Sequence, residues 1–159
     1  MLDKKILRDL EEYLEDRQTS VAERILMSAP LMDPDEMYDD LEDYIKGKQK
    51  PSFKDILFTF IDLRGIPDSE IYKKAGIDRR HFSKIRSAAG YRPRKDTIIS
   101  LALALKLGQE DTEDLLYAAG YSFSSSETRD LIILFCLERN IHDKQDVNFA
   151  LHQHGAKTL

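Results

Sequence analysis

Leu2, Ile6, Leu10, Tyr13 and Leu14 recur three or four residues apart with charged side chains between them. That spacing predicts an amphipathic first helix ending near Asp16. Ser20-Val21-Ala22-Glu23 fits a capping box, in which a Ser hydroxyl and a Glu carboxylate satisfy the free amides at a helix start. It predicts a second, short helix to about Ala29, stopped by Pro30. Asp33-Pro34 supplies an N-cap and a first-turn proline, and Asp35 and Glu36 follow where the helix dipole favours anions. A third helix is therefore expected to Lys46, with Gly47 as its stop.

Lys48-Gln49-Lys50-Pro51 is polar and ends on proline, which marks a boundary. After it, Ser52 caps a helix carrying Phe53, Ile56, Leu57, Phe60, Ile61 and Leu63, apolar nearly all round and closed by Gly65. Such a helix belongs in a core. A short helix from about Ser69 to Ala75 follows, then a turn at Gly76 and a helix from Arg79 to about Ala88 capped by Asp78. Beyond the Ala89 to Lys95 linker, apolar helices are expected over Thr97 to Leu107 and Glu110 to Ala119. Ser124 and Glu127 suggest another capping box, opening a helix whose continuous apolar run Leu131 to Leu137 reads as buried. Asp143 caps a last helix bearing Val147, Phe149, Ala150 and Leu151, ended by Gly155. The pattern predicts an all-α chain in three parts: an acidic helical region over 1–50, a five-helix core over 51–120, and a C-terminal helical pair over 121–159 that completes the core or forms a dimer interface.

Composition narrows the picture. Nothing approaches the roughly 18 consecutive apolar residues of a membrane span, and Met1-Leu2-Asp3-Lys4-Lys5 lacks the uncharged run of a signal peptide, so a cytoplasmic protein is expected. Cys136 is the single cysteine; it rules out an intrachain disulfide and, inside an apolar helix, reads as inert core. No phosphate-cradling glycine loop, nucleophile elbow, metal-protease motif or EF-hand is found, and His152 and His154 are spaced wrongly for a helical metal pair. Neither catalysis nor a cofactor is expected. The net charge of −5 is unevenly distributed: residues 1–50 hold 8 basic and 14 acidic side chains, whereas residues 78–96 hold 7 basic and 2 acidic. One short segment is strongly basic in an acidic chain.

That segment is also where two helices are set at a tight turn. Gly76 supplies the positive φ such a turn needs, Ile71 and Ala75 give the first helix an apolar face, Ile77 plugs the turn, and Phe82 and Ile85 give the second helix its inward face. Arg79, Arg80, Ser83, Lys84 and Arg86 are left facing out. Gly76-Ile77-Asp78-Arg79-Arg80-His81-Phe82-Ser83-Lys84-Ile85 resembles the helix-turn-helix of the phage-repressor and Cro-like family. Pro93 with Thr97-Ile98-Ile99-Ser100-Leu101-Ala102-Leu103-Ala104-Leu105 is similar to that family's proline-led fourth helix, and Glu113-Asp114-Leu115-Leu116 stands where its fifth lies. The likeness covers roughly residues 53–117.

The resemblance implies sequence-specific binding of double-stranded DNA, as a transcriptional regulator working as a homodimer. It makes Arg79, Arg80, Ser83 and Lys84 the base readers, and leaves Arg86, Arg92, Arg94 and Lys95 for phosphates. Two positions depart from the family: Tyr72, where a small residue is usual, predicts a wider crossing, and Asp68 puts a carboxylate where a phosphate donor is usual. The competing reading is an adaptor or antitoxin-like interaction module without DNA binding, its basic helix meeting an acidic surface. The acidic run Asp33 to Asp43 reads as a solvated face or as a docking site for a basic partner, including this chain's own Arg79 to Lys95, and His81 is expected as a surface contact.

Overall fold

The computed structural model describes residues 4–27 and 33–159, and every regular element among them is an α-helix. The chain divides into two units, residues 1–49 and 50–159.

The first unit holds α1 (Lys4–Met27) and α2 (Pro34–Lys48). Two expectations are corrected here. A break near Asp16 and a fresh start at Ser20 are expected, but the backbone of α1 runs helical through both. Arg17-Gln18-Thr19-Ser20 contains no Gly or Pro, and Ser and Thr inside a helix cost only a few tenths of a kcal/mol, too little to break it. Leu2 and the Pro30 stop lie outside the described residues. In α2 the Asp33 cap forms, its carboxylate accepting from the Asp35 amide at 2.9 Å. Gly47 does not end the helix, because the Gln49 amide still donates to the Ile45 carbonyl at 2.8 Å. The helix ends at Lys48, where Gln49 takes extended backbone at φ −64° and ψ 124°. No residue of α2 is buried, and the apolar stripe Ile6, Leu10, Leu14 of α1 stays about half exposed.

The second unit holds α3 (Phe53–Arg64), α4 (Asp68–Ala75), α5 (Arg79–Ser87), α6 (Lys95–Ala104), α7 (Gln109–Ala118), α8 (Thr128–Glu138) and α9 (Lys144–Gln153). Its centre is α6, in which every residue from Ile98 to Ala104 is buried, Ser100 included. A helix apolar on all sides must be surrounded, and α4, α7 and α9 pack on it. α3 lies on α7 and buries Phe53, Leu57 and Ile61; its start is a full capping box in which Asp55 reciprocates the Ser52 cap. The C-terminal pair belongs to the same cluster, through Ile133, Cys136 and Leu137 of α8 and Val147 and Leu151 of α9.

Two features of α8 differ from expectation. The Ser124–Glu127 capping box does not form: Glu127 is the N-cap without a side-chain cap bond, and the Ser124 amide donates to the Asp130 carboxylate at 2.8 Å. The apolar run is buried on one side only, since Leu131 and Phe135, four residues apart on one face, remain about half exposed.

Candidate functional site

Asp78, Phe82 and Ile85 fix α5. The Asp78 carboxylate accepts from the His81 amide at 2.6 Å, closing the helix start. Phe82 is buried beneath Phe58 and Tyr72, with ring centroids 6.2 and 5.8 Å away, and Ile85 is buried one turn on. The turn before α5 is made by Gly76 at φ 69°, while Ile77 is partly buried against the core and its amide donates to the Tyr72 carbonyl at 2.9 Å.

With that face inward, Arg79, Arg80, Ser83 and Lys84 are all exposed on one short helix. Among the described residues, neither Arg79 nor Arg80 makes a side-chain hydrogen bond or an ion pair. The Lys84 ammonium lies 4.4 Å from the Tyr91 ring centre, which holds it beside the helix. The nearest carboxylate along the chain, Asp78, is spent on the cap.

The other four cations differ from one another. Arg86 is bound to the Asp68 carboxylate at 2.6 Å, its guanidinium 4.2 Å from the Phe58 ring centre. Arg92 donates to the Ala119 carbonyl at 2.6 Å and the Gly120 carbonyl at 3.3 Å, and stacks 4.0 Å over Tyr121. It thereby satisfies free carbonyls at the end of α7. Lys95 is bound to the buried Asp130 carboxylate at 2.7 Å. Arg94, the N-cap of α6, is exposed, and among the described residues its side chain has no partner.

The eight positions thus sort into an open set, Arg79, Arg80, Ser83, Lys84 and Arg94, and a set engaged within the chain, Arg86, Arg92 and Lys95. His81 is corrected: it is half-buried, its Nε2 2.9 Å from the Tyr91 hydroxyl, because Tyr91 from the following linker folds back over α5. Tyr91, Asp130 and the Asp68 bridge shape the site through His81, Lys95 and Arg86, which lie 10, 35 and 18 residues from them, and so leave no signal at helical spacing.

The described residues contain no group of three or more His, Cys, Asp or Glu side chains arranged to hold a metal ion. No described helix is long and apolar enough to cross a membrane. Comparison of the chain with family models, with curated proteins and with solved structures finds no match.

Proposed function

We propose that the second unit binds double-stranded DNA through α5, as a helix-turn-helix of repressor type, and that the protein is a transcriptional regulator. The observation that carries this reading is the outward face of α5: Arg79, Arg80, Ser83 and Lys84 exposed together, with both arginines uncommitted among the described residues. Two free guanidinium forks at the start of a helix held rigidly by Phe82 and Ile85 suit the O6 and N7 acceptors of guanine. Arg94 adds a free cation for a phosphate. Arg86, Arg92 and Lys95 reach phosphate only by giving up Asp68, the α7 carbonyls and Asp130. One such helix reads too few bases for useful specificity, so the active species is a homodimer on two half-sites.

The test is fluorescence anisotropy of full-length protein on duplex DNA over a range of salt. Arg79→Ala and Arg80→Ala are each expected to cost about 1 to 3 kcal/mol and to relax base preference. Arg94→Ala should weaken binding to all sequences alike and flatten the salt dependence. Absence of duplex binding even at low salt rejects the proposal.

A second reading, a protein-interaction module on the same scaffold, is favoured by one observation. Asp68 and Glu70 stand in the first turn of α4, and Asp68 holds Arg86. A helix start that would welcome a phosphate is there filled by carboxylates. Failure on DNA together with Arg79-dependent capture of an acidic protein fragment would establish this alternative.

A further inference from the structure

Lys73 and Lys74 at the end of α4, Lys106 after α6 and Lys144 at the start of α9 converge on one recess of about 430 Å³. We propose that this recess is a binding site for a small molecule carrying two or more linked phosphate groups. The proposal is independent of what α5 binds.

The charges around the recess are strongly one-sided. Four lysines line the recess beside a single carboxylate, Asp143, which is already committed to capping α9 through the Gln145 and Asp146 amides. Lys74 is paired with Glu70 at 2.9 Å, and Lys144 donates to the Ala75 carbonyl at 2.9 Å. Lys73 and Lys106 have no side-chain partner among the described residues. The floor is apolar, made by Leu103 and Ala104 of α6, so an anion seated there is shielded from water on that side and attracted more strongly than on an open surface. The volume falls within the range of small-molecule sites.

Lys106 adds an argument that charge alone does not. It ends α6 in the left-handed conformation, φ 54°, with the Leu107 amide donating to the Ala102 carbonyl at 3.0 Å. Glycine is the usual occupant of such a position, as Gly65, Gly76, Gly120 and Gly155 are at other helix ends, and after α8 it is Asn140, a residue that tolerates this conformation better than lysine. A lysine there costs backbone strain. Cations at the ends of α4 and α6 also complement those helix dipoles, which accounts for Lys73 and Lys74 as single residues. It does not account for a strained lysine in place of glycine, or for cations from three separate segments sharing one recess.

Lys73 and Lys106 therefore carry the uncommitted charge of the recess, and Lys144 is held back from it. The Lys144 ammonium sits at the Ala75 carbonyl and 3.0 Å from where a Cβ on Gly76 would stand. Burial pushes its pKa below the ordinary lysine value, with Asp96 opposing.

Isothermal titration of the full chain with orthophosphate, pyrophosphate and tripolyphosphate tests the proposal. Saturable binding is expected, strengthening with the number of linked phosphates, and Lys73→Gln and Lys106→Gly should each weaken it about tenfold. Lys106→Gly is the informative variant, because it removes the charge while relieving the backbone, so thermal stability should hold or rise as affinity falls. Three results would overturn the proposal: no saturable heat up to millimolar ligand, unchanged affinity in both variants, or equal weakening of short-duplex binding by Lys106→Gly. The last would assign the lysines to a nucleic-acid backbone.

Discussion

Asp130 is 4% exposed and accepts twice through one oxygen, from the Lys95 ammonium at 2.7 Å and the Ser124 amide at 2.8 Å. The carboxylate therefore joins the start of α6 to the chain entering α8. Replacing it by Ala strands a part-buried amide and an ammonium that keeps only part of its water. A loss of about 3 kcal/mol is expected, the lower end of what breaking a buried pair costs, read as a fall in the denaturation midpoint without a change of slope. The neighbouring Arg129 makes the parallel link, bonding Asp96 at 2.8 Å and the Lys157 carbonyl at 2.7 Å. Cys136 is buried, and burial with Asp146 nearby pushes its thiol above the ordinary 9.0. The native thiol should resist iodoacetamide at neutral pH and react at the rate at which the unit opens. Above pH 9.0 the unfolded thiol loses its proton while the folded one keeps it, so this group's contribution to stability falls as pH rises. A Cys136→Ala chain compared with wild type across that range isolates the effect.

The pair α4 and α5 depends on its turn. Gly76 at φ 69° has the Lys144 ammonium 3.0 Å from its would-be Cβ, so Gly76→Ala is strained in the backbone and crowded in space. It should cost about 1 to 2 kcal/mol in thermal or chemical denaturation. Phe82→Ala empties the contact with Phe58 and Tyr72 and should cost about 3 to 5 kcal/mol. Tyr72 fills the crossing and tilts against Phe82 at 48°, so the larger side chain is packed as part of the crossing itself. Signals that act within four residues are legible in the sequence: the caps Asp33, Ser52, Asp78 and Asp143 all form where the pattern puts them. So is the inward pair Phe82 and Ile85, because helical period alone places it. What is not legible depends on partners beyond that four-residue range. Asp130 takes the Ser124 amide that Glu127 was expected to share, and the α7 carbonyls capture Arg92 from 27 residues away. Charge counting finds the basic segment; only tertiary contacts divide it into open and engaged cations.

At the scale of the chain, the second unit contains what it needs to fold alone. All its caps are internal, and one cluster runs from Phe53 to Leu151. A chain beginning at Ser52 should therefore unfold cooperatively by circular dichroism. The first fifty residues carry 14 acidic against 8 basic side chains, so removing them takes the protein from a net −5 to about neutral, slightly positive. If α5 meets DNA, that field opposes approach of a polyanion whether or not the acidic helices touch α5. Long-range repulsion acts through solvent and is screened beyond about 8 Å at physiological salt. The truncated chain should bind duplex about tenfold more tightly than the full chain at low ionic strength, chiefly through the association rate, and the gap should close as salt is raised. Direct docking of the acidic helices on α5 has a different signature. It would mask Arg79 and Arg80, leave a gap that persists at high salt, and make Arg79→Ala cost less in the full chain than in the truncated one. Stopped-flow association of both chains at several salt concentrations, each with and without Arg79→Ala, separates a repulsive field from a competing surface.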